Sequence, residues 1–111
     1  MLAHNNRLTN KSDFEVVRQN GKFFTTPLFS FSYFDKKNNE DPRFGFIVSK
    51  KISTKAHVRN RVKRILRELV RKNINGMKQG VDIVISVKPG IVHATNGTIE
   101  TELVKCLKKT K

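Results

Sequence analysis

The sequence predicts a single α+β domain, a two-layer α/β sandwich in which helices cover one face of a mostly antiparallel sheet. Three observations support this fold class. A chain of 111 residues has the usual length of one domain. Apolar residues alternate at period two in several segments, which indicates strands, and recur at helical spacing in others, which indicates helices. No internal repeat or linker divides the chain, so residues 1–111 are interpreted as one domain.

The chain begins with ten mostly polar residues, 1–10, which we expect to be flexible. Ser12 and Glu15 have the S-x-x-E spacing of a capping box and are followed by apolar side chains, so a short helix is predicted over about residues 13–19. The pair Asn20-Gly21 comes directly after this segment and favours the end of the helix there.

Two alternating segments, residues 28–34 and 43–50, are predicted to be the strands of a hairpin. The connector between them, DKKNNEDP, is rich in turn-forming residues, which favours a direct connection. Alternation places aromatic side chains on one face of these strands and mainly small or polar ones on the other. The aromatic face is the expected core face. It contains Phe29, Phe31, Tyr33, Phe44 and Phe46.

The longest predicted element is a helix in the middle of the chain. Ser53 or Thr54 can cap its start, and it is expected to run to about residue 72 or 73, before Asn75-Gly76 closes it. At 100° per residue its apolar side chains fall within an arc of roughly 140°, which must face the sheet. These side chains are Val58, Val62, Ile65, Leu66, Leu69 and Val70.

The C-terminal part of the chain predicts one more strand and one more helix. Residues 82–88 alternate as a strand that Pro89-Gly90 ends, and residues 98–109 carry apolar side chains at helical spacing. Cys106 lies on the apolar stripe of this helix, so its thiol is expected to be packed and not to act as a nucleophile.

Positive charge is the strongest global signal in the sequence. The chain has 23 Lys or Arg against nine Asp or Glu, a net charge of +14. Such an excess destabilises a compact chain by self-repulsion and is typical of proteins that bind nucleic acid or anionic membranes. No apolar stretch approaches the roughly 20 residues that span a bilayer, and the N-terminus lacks the apolar core of a signal peptide. With a single cysteine as well, the sequence predicts a cytoplasmic protein that has no membrane partner.

The long helix concentrates this charge on the side opposite its apolar arc. Asn60, Arg64, Arg67 and Arg71 follow the spacing i, i+4, i+7 and i+11, which makes a stripe about 16 Å long. Glu68 is the single acid of the helix. Solubility does not require neighbouring charges of one sign, whereas guanidinium groups match phosphate oxygens in pairs. The stripe therefore predicts binding to a phosphate backbone. RNA is favoured over DNA, because the helix packs on a sheet and no DNA-binding motif accompanies it.

The acidic residues and histidines give no sign of a catalytic or metal site. The nearest carboxylate pairs on predicted helices are two residues apart, so their side chains do not face each other. The three histidines have no partner at metal-ligand spacing. We therefore expect that the protein binds no metal and no small-molecule cofactor, and that it has no hydrolytic activity by itself.

The segment FGFIVSKKISTKAHVRNRVKRILRELVRK, residues 44–72, resembles the RNR segment of the bacterial ribonuclease P protein family. The ordered pattern K-x-x-x-R-N-R-x-K-R-x-x-R-E carries the likeness, and LTNKSDFEVV and DIVISVKPG extend it over most of the chain. The resemblance implies an α/β sandwich with a left-handed β-α-β crossover through the RNR helix. It also implies a subunit that binds a catalytic RNA and precursor tRNA, whose 5′ leader the RNA removes with Mg²⁺ or other divalent ions.

The resemblance further implies two groups of site residues, one that contacts the catalytic RNA and one that lines a cleft for the single-stranded leader. One helical turn after Phe14 the family has a second cleft aromatic, but this sequence has Arg18, and Ser32 stands where tyrosine is common. Leader contacts are therefore expected to depend less on base stacking. Phe14 could also be a core residue. In the RNA-binding group, the residues that match the RNR motif are Lys55, Arg59, Asn60, Arg61, Lys63, Arg64 and Arg67. The same basic segment adds Lys50, Lys51 and Arg71 to this group. The cleft group is Phe14, Arg18, Ser30, Ser32, Phe34, Ser49, Ser86 and Lys88.

Two other classes of function remain open from the sequence. A structural RNA-binding or ribosomal-type protein without a role in cleavage would have the same charge, but the ordered RNR pattern argues for ribonuclease P. A membrane-surface protein would lay the basic helix on anionic lipid. That arrangement needs a free apolar helix face, and here the sheet is expected to cover that face.

Overall fold

In this computed structural model, which describes residues 6–75 and 77–110, a four-stranded sheet is combined with α-helices on both of its faces. The strands are β1 (Lys22–Thr25), β2 (Phe29–Asp35), β3 (Arg43–Ile47) and β4 (Val81–Val87). The helices are α1 (Lys11–Asn20), α2 (Ala56–Asn73), α3 (Asn96–Lys108) and a 3-10 helix over Pro89–His93.

The strands lie in the order β1-β2-β4-β3, so the predicted hairpin between residues 28–34 and 43–50 is wrong. β2 pairs antiparallel with β1 and with β4, and β4 separates it from β3. β3 is parallel to β4, and α2 forms the connection between them. The α+β class and the mostly antiparallel sheet are confirmed. Alternation predicts which residues form strands, but it does not encode which strands pair, because pairing is decided by contacts distant in sequence.

β4 gives each face of the sheet its own core, because its side chains alternate between them. Ile83 and Ile85 belong to the larger core, where the aromatic face of β2 and β3 packs against α2 and α3. Leu66 and Val70 of α2 are fully buried there, which confirms the predicted apolar arc. Cys106 on α3 is also buried in this core, as predicted.

Helix α1 packs on the opposite face of the sheet, so the single predicted helical layer consists of α2 and α3 only. Val17 of α1 is fully buried in a smaller core with Leu8 and Val84. The backbone N–H of Leu8 donates to the carbonyl of Phe44 at 2.8 Å, and the Asn6 side chain donates to the carbonyl of residue 42 at 2.8 Å. Residues 6–8 therefore contact the edge of the sheet, and the flexibility expected of residues 1–10 stays a prediction. Residues 1–5 lie outside the described part of the chain.

The predicted helix caps are partly wrong. Asn10 caps α1 by accepting from the backbone N–H of Ser12 at 2.8 Å, in place of the expected Ser12–Glu15 box, and the helix ends at Gly21 as predicted. Ser53 accepts from the N–H of Lys55 at 3.1 Å in the turn before α2, so it lies two residues too early to cap the helix.

The other two helix ends also differ from the sequence prediction. α2 is followed by Ile74 in a right-handed conformation, and Gly76, expected to close the helix, is outside the described residues. α3 starts two residues earlier than predicted because Thr95 caps it, accepting from the N–H of Thr98 at 3.2 Å.

A buried carboxylate connects three elements of the fold. Asp82 at the start of β4 accepts two hydrogen bonds from the Arg43 guanidinium on β3, at 2.9 and 2.7 Å. The Lys36 ammonium lies 3.3 Å from the same carboxylate, and Arg43 also lies 3.4 Å from Asp13 on α1. The network fixes α1 and the parallel strand pair at one end of the sheet. A charge buried in this way is stable only while its partners remain.

We predict that Asp82→Asn lowers the free energy of unfolding by about 3 kcal/mol, because it removes the charge that holds both the half-buried Arg43 and Lys36 and leaves Arg43 with the more distant Asp13. Glu40→Gln is the matched control, since Glu40 pairs with the same Lys36 but is exposed, and little change is expected there. Urea unfolding of both variants measures the difference. Equal stabilities of the two variants would contradict a structural role for the Asp82 network.

Candidate nucleic-acid interface

The outer face of α2 presents the basic stripe that the sequence predicts. Asn60, Arg64 and Arg71 are exposed, and Arg67 is half-buried. Three residues of the stripe, Asn60, Arg64 and Arg67, line an open groove together with Lys63 and Glu68. Because the opposite side of the helix is buried in the larger core, the guanidinium groups are directed away from the sheet. This surface can accept a run of phosphate groups along the helix axis.

Arg59 has a structural contact within the basic segment. Its Nη1 donates to the carbonyl of Ser53 at 2.8 Å, and the side chain is half-buried. This bond holds the turn before α2 against the first turn of the helix, so Arg59 presents its remaining N–H groups from a fixed position. Arg61 lies in another groove, between α2 and the start of α3. The predicted lysines before the helix are exposed in the same region. They are Lys50, Lys51 and Lys55.

Glu68 forms the ion pair that its position on the helix allowed. Nε of Arg71 lies 3.1 Å from each carboxylate oxygen of Glu68, and Nη2 of Arg71 makes a further close contact. Bonding to Arg71 lowers the pKa of Glu68 to about 2 and raises the pKa of Arg71. Glu68 therefore stays ionised near neutral pH, and it reduces the positive charge at the C-terminal end of the stripe.

The opposite face of the sheet contains an open cleft beside α1. Four residues of the predicted cleft group line it together, and Phe23, Ile47 and Val84 complete its lining. The four are Arg18, Ser30, Ser32 and Ser86. The floor is formed by neighbouring strands, because Ser30 is directly paired with Ser86 and Ser32 with Val84. The cleft thus combines a guanidinium group, hydroxyl groups and an aromatic ring.

Phe14 lies beside this cleft but packs into the smaller core. A Cβ atom at Gly45 would collide with the Phe14 ring, so the glycine allows the ring to lie against β3. Phe14 is half-buried in this position. Its packing role is evident from these contacts, and a contact of its remaining exposed edge with RNA stays a prediction.

Three other predicted cleft residues lie outside the cleft lining. Phe34 packs in the smaller core and lines a separate groove at the end of β2. Ser49 is exposed beyond the end of β3, where its hydroxyl accepts from the N–H of Lys51 at 3.3 Å. Lys88 donates to the Thr25 hydroxyl at 2.6 Å and to the carbonyl of Thr26 at 2.7 Å. Lys88 therefore connects the end of β4 to the β1–β2 turn through these two hydrogen bonds.

The sequence prediction missed Phe23, which lines the cleft and has 62% of its surface exposed. Strand β1 was not predicted because it has only four residues and no clear alternation. Its neighbour Phe24 points to the other face, where it stacks on Tyr33 with ring centroids 5.8 Å apart. The signal that could have found the exposed ring is the adjacent pair Phe23-Phe24, because neighbouring side chains of a strand point to opposite faces and only one of the two rings can face the larger core.

The titratable side chains do not assemble into a metal site within residues 6–75 and 77–110, where no group of three or more His, Cys, Asp or Glu is close enough to hold an ion. Burial raises the pKa of the Cys106 thiol, which keeps it protonated. In the same part of the chain, no helix has the length and apolarity needed to cross a membrane.

Comparisons with known proteins agree on one family. The family described as Ribonuclease P matches residues 2–111. The "Ribonuclease P protein component" of Legionella pneumophila strain Corby is 41% identical over 103 residues, which cover 93% of this chain and 87% of that protein. The solved RNase P protein from Thermotoga maritima is similar with a TM-score of 0.83 at 27% identity, over 95% of this chain and 97% of that one. A Staphylococcus aureus RNase P protein mutant, described as having defective mRNA degradation activity, is similar with a TM-score of 0.82 at 25% identity, over 93% and 86% of the two chains.

We predict that Glu68→Gln strengthens binding to double-stranded RNA and makes its salt dependence steeper, because Arg71 then becomes available to a phosphate group. One additional phosphate contact changes the slope of log K against log salt by about −0.9. Filter binding over a salt series measures the slope, with Glu102→Gln on α3 as a control of equal charge change. Lowering the pH from 8 to 5 should not reproduce the effect, because the pKa of Glu68 is about 2. Identical slopes for the two variants would exclude Arg71 from the interface.

Proposed function

The chain belongs to the ribonuclease P protein family, and we propose that it binds the catalytic RNA through the outer face of α2 and the precursor tRNA leader through the cleft on the opposite face of the sheet. Its role as a protein subunit of the ribonuclease P holoenzyme in tRNA 5′ processing follows from the family. Our proposal concerns the two binding surfaces, the RNA partners and the cytoplasmic location.

The basic stripe of α2 is the observation that carries the proposal. Between residues 43 and 72 the chain has eleven Lys or Arg and a single acid, and that acid is paired with Arg71. Like charges at this density repel each other, and phosphate groups relieve the repulsion. A membrane would require the apolar side of α2, but Leu66 and Val70 on that side have no exposed surface. The exposed side of α2 is therefore charged, and its apolar side is not available for insertion into a lipid bilayer. This arrangement favours RNA over lipid as the partner.

We assign hydrolysis to the RNA subunit and its Mg²⁺ or other divalent ions, because the carboxylates within the described residues do not converge on one site and several of them are held by basic side chains. Asp82 is held by Arg43 and Lys36, and Glu68 by Arg71. Asp35 bonds to Lys78, which lowers the pKa of Asp35. Two-metal hydrolysis requires carboxylates that converge on one site. In this proposal the protein positions substrate and neutralises phosphate charge, and it binds no metal itself.

The alternative is a structural or ribosomal-type RNA-binding protein that takes no part in cleavage. Reconstitution with a bacterial ribonuclease P RNA distinguishes the two functions. We expect the protein to lower the Mg²⁺ concentration needed for cleavage of precursor tRNA and to strengthen precursor binding. The measurement is the cleavage rate over a Mg²⁺ series with and without the protein. Tight RNA binding with no change in the Mg²⁺ dependence would favour the alternative.

The same preparation tests whether the protein alone hydrolyses RNA. A mutant of the similar Staphylococcus aureus RNase P protein has defective mRNA degradation activity, so a single-stranded mRNA fragment is included beside precursor tRNA. We expect neither substrate to be cleaved without the RNA subunit. RNA cleavage activity that remains after the protein has been purified to homogeneity would contradict the assignment of hydrolysis to the RNA.

We predict that Arg64→Ala with Arg67→Ala weakens binding to the catalytic RNA and reduces the magnitude of the salt slope by about 1.8, since two duplex-like phosphate contacts are lost. Lys105→Ala with Lys108→Ala on α3 removes the same charge from another surface and serves as the control. An affinity titration at several salt concentrations provides both slopes. If the two double variants behave alike, the effect is one of net charge and the stripe is not the interface.

A further inference from the structure

We propose that Phe23 stacks on an unpaired base of the 5′ leader and supplies the aromatic contact that positions 18 and 32 do not provide. This inference rests on the proposed function, because it requires the cleft to hold single-stranded RNA. It assigns a base-stacking role to a strand, β1, and to a residue for which the sequence offered no role.

The exposure of Phe23 is unusual for this molecule. Its side chain is 62% exposed, whereas the other seven phenylalanines are buried or half-buried. The other large apolar side chain exposed within the described residues is Val16, at 40%. A single exposed apolar residue needs no functional explanation by itself. The position of Phe23 in the cleft is therefore the decisive observation.

Strand pairing places the Phe23 ring at the β1 edge of the cleft floor. Phe23 is directly opposite Ser32, and Ser32 is directly opposite Val84. Directly paired residues project from the same face of a sheet. The next row contains Ser30 and Ser86. The ring thus borders a floor of hydroxyl groups, and α1 contributes the guanidinium of Arg18 to the same cleft.

The chemistry of the cleft fits single-stranded RNA. An aromatic face stacks on any base, a guanidinium binds phosphate, and hydroxyl groups bond to base edges or ribose. An apolar protein partner would desolvate Arg18 and the serine hydroxyls without pairing them. A second copy of this chain would also bring together two molecules of net charge +14, which is unfavourable at ordinary ionic strength.

The substitution series is built on Phe23 and tested in the reconstituted holoenzyme. Phe23→Ala removes the ring, Phe23→Leu keeps apolar volume without a π face, and Phe23→Tyr keeps the ring. Val16→Ala is the control, because Val16 is exposed on α1 but does not line the cleft. Thermal unfolding should be nearly unchanged for all four variants, since the altered side chains are exposed.

We expect Phe23→Ala to weaken binding of precursor tRNA with a single-stranded leader roughly tenfold and to leave binding of mature tRNA unchanged. Phe23→Leu should resemble Phe23→Ala, whereas Phe23→Tyr should resemble the unchanged protein. A leader that carries 2-aminopurine gives a second readout. Stacking on the ring should quench its fluorescence in the unchanged protein, and Phe23→Ala should restore it.

Four results would overturn the role of Phe23. Two concern Phe23→Ala binding: equal losses for precursor and mature tRNA, or an unaffected affinity for the leader. The third is full activity of Phe23→Leu. The fourth is a change of oligomeric state in sedimentation of Phe23→Ala, which would indicate a protein contact. A different result would contradict the proposed leader cleft itself. This result is equal binding of precursor and mature tRNA by the unchanged holoenzyme.

Discussion

Burial of one side of α2 against the sheet is the constraint on which the rest of the molecule depends. Val62, Leu66 and Val70 lose nearly all their exposed surface in the larger core, and each fully buried side chain of this size contributes roughly 1.5–3 kcal/mol. This packing fixes the rotation of the helix about its own axis. Because the basic residues share the opposite side, it also decides that Arg64 and Arg67 project away from the sheet. The charged surface is therefore a consequence of core packing.

The position of β4 explains why the protein has two separate polar surfaces. Its parallel pairing with β3 requires a crossover, and α2 provides that crossover over one face of the sheet. The other face is only partly covered by α1, so Ser86 and the serines of β2 stay accessible. The Asp82–Arg43 contact fixes the strand pair at the end where the crossover returns to the sheet and β4 begins. The proposed surface for RNA phosphates and the proposed leader cleft thus lie on opposite faces of the sheet, so occupation of one does not obstruct the other.

The sequence predicted what depends on local periodicity and missed what depends on distant contacts. The apolar arc and the basic stripe of α2 are read correctly because both repeat every helical turn. The hairpin was wrong because alternation in residues 28–34 and 43–50 does not show that β4 lies between them. The Asp82–Arg43 pair spans 39 residues and has no local signature. Phe23 was missed because its strand is too short for a recognisable period.

The charge distribution connects folding with binding. Packing α2 onto the sheet requires its arginines to be held close to one another, whereas in the unfolded chain they are farther apart, so self-repulsion acts mainly against the native state. Glu68 offsets this repulsion at Arg71 only. Phosphate groups along the stripe relieve the remainder, and a ligand that binds only the native state stabilises it in proportion to the logarithm of its concentration. In the proposed interface, the arrangement that makes α2 an RNA-binding surface therefore also makes RNA a stabilising element of the fold.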